Sequence, residues 1–233
     1  MRALWVLSML VLVVIAVPAT ARTQSADTLD SKQWLFTSTK VAYAVNKWRF
    51  FGDMQFRLNE NWRELDQWLV ELSATYSPTS YLELSPDFRV TVRPSRIEYR
   101  PGAGAILKTI VGGTWQFALQ HKYQFDISSV GGSSDGLRQV GFVNKVVGDH
   151  LIFSAIGGWF YRWRDNWNGV EFVRVGAGVT YRFNVVHGLN VSYFVGKTNL
   201  VDHWITDGFL AIGLTINIRT DWTYVPAGRI VNF

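Results

Sequence analysis

The chain carries four histidines and no cysteine, so chemistry that needs a general base or a soft metal ligand has few places to sit. His203 is the best placed, in the run Asp202-His203-Trp204 with Asp207 close by. A histidine base works when a carboxylate orients its imidazole and a nucleophile lies within hydrogen-bond reach. No nucleophile is marked near this group, and the plainer reading is a histidine exposed in a loop. His187 and His150 fall at turns. His121 sits mid-strand in an apolar register, which implies either an offset towards one end or contact with another protomer. Metal-ligand spacing is missing: there is no H-x-x-x-H, no Asp-rich calcium loop and no cysteine pair. The glycines at 112–113, 131–132 and 157–158 have no phosphate-loop context. The expectation is no catalytic residue, no metal and no cofactor, with a lipid-modifying enzyme using a loop histidine as the alternative.

More of the chemistry lies in charges that recur at every second position. Asp53, Arg57, Glu71, Glu83, Asp87, Arg89, Arg93, Lys122, Asp126 and Arg182 alternate with apolar neighbours and interleave both signs. Successive side chains of a strand point to opposite faces, so each charge shares a face with the next but one. Gathered inside a barrel, these candidates would line a lumen. They would either cross-link into a filled interior or border a narrow aqueous channel.

The elements that must carry them are strands. Residues 114–128 read TWQFALQHKYQFDIS, with Trp115, Phe117, Leu119, His121, Tyr123, Phe125 and Ile127 on one face. Gln116, Ala118, Gln120, Lys122, Gln124 and Asp126 take the other. The same alternation predicts strands at 33–45, 48–58, 67–77, 80–93, 103–111, 114–128, 137–147, 150–163, 169–183, 188–197 and 206–218, with a last one at 222–233. Two of them are less regular. The stretch 103–111 is rich in Gly and Ala, and 150–163 puts Ile152, Ile156 and Phe160 on its polar face. Short turns are expected at Asn46-Lys47, Pro78-Thr79, Gly112-Gly113, Gly148-Asp149 and Val185-Val186-His187, where Gly and Asn supply positive φ. Longer polar links are expected at 59–65, 94–102, 129–136, 164–168 and 198–205. That rhythm predicts an all-β fold, an antiparallel up-and-down barrel of about 12 strands with one trimmed and one decorated rim. Such strands reach the roughly 9–11 residues that a tilted membrane span needs. Alternation alone does not say which face points inward, so a soluble secreted ligand-binding barrel stays open as a second reading.

The N-terminus bears on location. Arg2 precedes an apolar run from Ala3 to Val17, then Pro18 and Ala19-Thr20-Ala21. At 15 residues the run is shorter than the roughly 20 of a membrane-spanning helix and fits a cleaved signal peptide at 1–21, with a second possible cut after Ala26. A polar segment without period, 22–32, follows and is expected to be flexible, leaving 33–233 for the barrel. Loss of Arg2 takes the formal charge from +5 to +4. The imbalance is mild and no basic run stands out, so nucleic acid is not an expected partner. An exported chain without cysteine has no disulfide scaffold to lean on. Aromatic residues make up 15% of the chain, with 11 Trp, and such rings concentrate where a protein meets lipid headgroups.

Two resemblances follow from these residues. The end Gly228-Arg229-Ile230-Val231-Asn232-Phe233 resembles the C-terminal insertion signal of outer-membrane proteins of Gram-negative bacteria. It implies recognition by the barrel-assembly machinery through the segment ending at Phe233. Gln33-Trp34-Leu35, Asn46-Lys47-Trp48 and Gln55-Phe56-Arg57 resemble the opening of an uncharacterised outer-membrane β-barrel family, a domain of unknown function. The similarity extends over residues 33–218 and departs at 103–126, where that family carries a denser Arg/Glu pattern. It implies a location in the cell outer membrane, surrounded by lipid, and no activity. The expected function is a porin-like narrow pore for small solutes or a structural role in the envelope.

Overall fold

The computed structural model describes residues 31–59, 62–183, 187–201 and 203–227. Eleven strands form a closed barrel: β1 (Ser31–Asn46), β2 (Trp48–Asn59), β3 (Glu64–Tyr76), β4 (Leu82–Arg93), β5 (Arg96–Val111), β6 (Trp115–Ser128), β7 (Ser133–Val147), β8 (Leu151–Arg164), β9 (Trp167–Arg182), β10 (Gly188–Asn199) and β11 (Trp204–Trp222). Every sequential pair is antiparallel, and β1 closes the barrel against β11 in parallel, from Ser31 opposite Thr206 to Asn46 opposite Trp222. The parallel seam follows from the odd count, because each hairpin reverses the chain and the first and last strands then run the same way.

The strand count of about 12 is therefore corrected to eleven. β11 runs on to Trp222, and the described residues after it, 223–227, are not strand. The rest of the twelfth strand proposed at 222–233, with the segment ending at Phe233, lies outside the described residues, as does the leader at 1–21. The long polar links are corrected as well. Connections run from one residue, Lys47, to five at 77–81, so neither rim is decorated. The supposed links are largely strand. β5 begins at Arg96, three residues after Arg93, and carries through Pro101; the ladder to β6 skips from Tyr99 to Gly102 around that proline, which has no N–H to give. Turn chemistry follows the sequence: Asn46, Gly112, Gly113 and Gly148 all have positive φ.

The two faces of the wall differ as the alternation requires. Large apolar side chains point outward, among them Leu72, 59% exposed, and Leu107, 50% exposed. Polar ones point inward: Arg89 and Lys122 are each 2% exposed. In an ordinary soluble domain the distribution runs the other way, with paired charges rarely so deeply buried. Here the interior is built from long Arg, Lys, Gln and Phe side chains, which have the reach to fill an eleven-strand cross-section.

Candidate functional site in the barrel lumen

The lumen is assembled from rows of cross-strand neighbours. One row runs Lys40, Asp53, Glu71, Arg89, Arg100 over β1 to β5, each residue directly opposite the next. At its centre both Nε and Nη2 of Arg89 donate to Glu71 Oε2, at 2.8 and 2.5 Å. Gln55 Nε2 donates to Asp53 Oδ2 at 3.1 Å and Arg57 Nη2 to Gln55 Oε1 at 3.3 Å, which extends the network along β2.

Other pairs skip a strand, and each does so over a small residue. Lys122 of β6 reaches Asp87 of β4 at 2.6 Å. Gly102 of β5 lies between them, and a Cβ there would stand 2.7 Å from Lys122 Cε and 3.0 Å from Asp87 Oδ1. Arg174 of β9 reaches Asp207 of β11 at 3.1 Å across Gly196 of β10, the register partner of both. A Cβ at Gly196 would stand 2.6 Å from Arg174 Cγ. Arg162 of β8 reaches Asp126 of β6 at 2.5 Å across Ser134 of β7, whose hydroxyl accepts a second bond from the same nitrogen at 2.7 Å. Arg100 shares Asp126, and Glu171 also pairs with Arg162. Buried ions are tolerated when each is paired, and these clips pair their charges by spanning two ladders at once. Asp87 Oδ1, Arg174 Nε and Asp207 Oδ1 are buried without a hydrogen bond among the described residues.

The wall near the seam is different. Phe36 of β1 stacks on Phe209 of β11 at 4.7 Å between centroids, and Phe209 on Phe194 of β10 at 4.7 Å. Arg57 caps one end, 4.5 Å over Phe36, and Arg174 lies 5.0 Å from Phe209. The column bridges the parallel seam from inside. Between the two regions a void of about 40 Å³ is lined by Lys40, Arg49, Phe51, Asp53, Glu71, Ser73 and Thr215. That is room for water, far below a site of several hundred Å³ for an organic ligand.

The charged residues singled out from sequence all occupy the inward register. Asp53, Glu71, Glu83, Arg89, Lys122 and Asp126 are buried, and Arg57, Asp87, Arg93 and Arg182 are half-buried. Arg93 lies among Asp66 and Glu98, at 3.2 and 3.3 Å. Sequence reasoning did not single out Lys40, Arg100, Lys108, Arg138, Arg162, Glu171 and Arg174, and it named Asp207 only as a neighbour of His203. Strand parity was the available signal for Arg174, which shares its face with Arg182. Arg100 was hidden in the supposed link at 94–102, and Arg162 among the aromatics of β8.

The histidines are not gathered. His203 is exposed in the turn between β10 and β11, while Asp207 is 4% exposed and engaged by Arg174 and by Thr198 Oγ1 at 2.9 Å. Asp202 lies outside the described residues. His150 Nδ1 hydrogen-bonds with the Arg182 carbonyl at 2.8 Å, and Asn217 N donates to His187 Nδ1 at 3.3 Å. His121 is exposed on the outer face beside Gln139. The row through it runs Tyr76, Leu84, Ala105, His121, Gln139, Trp159. It climbs from the rim at Tyr76 towards the opposite rim near Trp159, so His121 lies mid-wall and not at an edge. No family model matches the chain, and no curated protein matches it.

Proposed function

We propose that the chain is a Gram-negative outer-membrane β-barrel with a structural role in the envelope, exported by a signal peptide at 1–21 and filled by its own side chains. The observation that carries this reading is the inverted wall: a closed barrel with its apolar register outward and its charges inward. Lipid solvates the outer face, and closure leaves no unpaired sheet edge in a medium that cannot hydrogen-bond to one. Aromatic side chains stand exposed near both rims, Trp48, Trp115 and Phe153 at the Asn46 end and Trp163 and Trp204 at the other. They fit the girdles at which such proteins meet the headgroups.

The soluble ligand-binding alternative needs an apolar, roomy interior, and the interior here is charged and packed. The enzyme alternative needs His203 beside a carboxylate and a nucleophile, and Asp207 points away into the lumen. A filled lumen is supported over an open pore by the ion-pair clips and by the void of about 40 Å³. The test is cell fractionation with heat-modifiable gel mobility, followed by planar-bilayer recording of the purified barrel. Membrane localisation, a mobility shift on heating and no sustained conductance are the expected results. Recovery in the soluble periplasmic fraction would overturn the location, and a steady ion current would replace the structural role with solute passage.

A further inference from the structure

After Trp222 the chain turns inward across the barrel mouth. Thr223 N donates to the Asn46 carbonyl at 2.8 Å, which fixes the turn at the rim where β1 and β11 end. Beyond it, lumen side chains hold the backbone. Lys108 Nζ donates to the Val225 carbonyl, Gln116 Nε2 to the Pro226 carbonyl at 2.9 Å, and Ala227 N donates to Glu83 Oε1 at 2.9 Å. Glu83 and Lys108 are themselves a buried pair 2.7 Å apart, so one ion pair grips the segment through both a donor and an acceptor. These side chains belong to β4, β5 and β6, on the far side of the barrel from β11. Ala227 is 1% exposed. Tyr224 and Pro226 form one wall of a cleft that is also lined by Trp48, Arg49, Thr75, Ser77 and Glu83, and Arg49 borders the deeper void too. The segment thus lies across the cleft at this mouth, next to the deeper void that shares Arg49 with it.

We infer that residues 223–227 are a latch across this mouth, and that small hydrophilic molecules reach the lumen from the Asn46 rim only when the latch is released. Elsewhere each strand is joined to its neighbours by a backbone ladder, and opening the wall would break many hydrogen bonds together. The latch lies outside the ladder and is gripped mainly by lumen side chains, so it is the element that can leave while the barrel stays closed. Its occupancy concerns the barrel itself, whether or not the barrel sits in a membrane, so it is tested in detergent.

The chain has no cysteine, which makes Ser85→Cys a single reporter: Ser85 is 2% exposed on the inward face of β4, beside the grip at Glu83. Its reaction rate with a small cationic methanethiosulfonate is compared in this background and with Ala227→Trp added. The added ring has no room at a fully buried site and expels the segment without altering the wall. Heat-modifiable mobility is to be unchanged in both. The expected result is a rate increase of roughly ten-fold, the scale of losing one or two buried hydrogen bonds. If Ala227→Trp does not fold, Gln116→Leu removes one grip and is expected to raise the rate several-fold. Equal rates in the reporter and the folded latch variant would overturn the proposal.

Discussion

The ion-clipped wall, centred on β3 to β9, and the aromatic seam where β1 meets β11 face the same lumen and hold it together by different physics, with the Arg174–Asp207 clip joining the two. In the first, strands are already joined by hairpins, and charges at fixed positions specify register: Glu71 faces Arg89, and a slip of one residue would put the two on opposite faces of the wall. In the second, β1 and β11 have no hairpin between them and meet only when the whole barrel closes. Stacked rings suit that late contact, since Phe36, Phe209 and Phe194 gain from burial without demanding one hydrogen-bond geometry. Directional pairs specify local order, and non-directional stacking secures closure.

The largest expected effect is from breaking a pair. Glu71→Ala leaves the Arg89 guanidinium buried without its carboxylate and should cost about 3–5 kcal/mol in urea unfolding followed by gel mobility. Replacing both by Met should cost far less, which separates an unpaired charge from a lost contact. Phe209→Ala removes the middle of the seam column, with an expected loss of about 3 kcal/mol; if the seam is the last contact made, this loss shows chiefly as faster unfolding. Gly196→Ala places a methyl against Arg174 and should cost about 1–3 kcal/mol. Gly→Ala at outward Gly157, whose added Cβ meets only Val175 at 3.6 Å, should be near neutral by the same assay. Equal losses at Gly196 and Gly157 would remove the idea that small residues serve the clips.

The strands were legible because alternation survives wherever one face is wet and the other greasy, and each of the eleven has a counterpart in the period-two reading. The ends were less legible. Polar residues such as Arg96, Glu98 and Arg100 look like loop, but in this barrel they continue the inward register beyond the apolar band. Pro101 reinforced the error, since proline ordinarily argues against a strand. The seam was not legible, because parallel closure depends on the parity of the whole count and not on any local pattern. Nor were the strand-skipping clips. The Gly-rich start of β5 looked like weakness, and its purpose emerges only when Asp87 and Lys122 are seen to meet over Gly102.

The central claim is the inverted wall, and adjacent residues on β6 test it most directly. Phe117, 40% exposed, and Gln116, 8% exposed, point to opposite faces. Each is changed to Cys in turn, labelled with a small environment-sensitive fluorophore during refolding, and reconstituted into vesicles of brominated phospholipid. Strong quenching at position 117 with little at 116 is the expected result. Strong quenching at 116, or none at either position, would contradict a barrel that turns its apolar face to lipid.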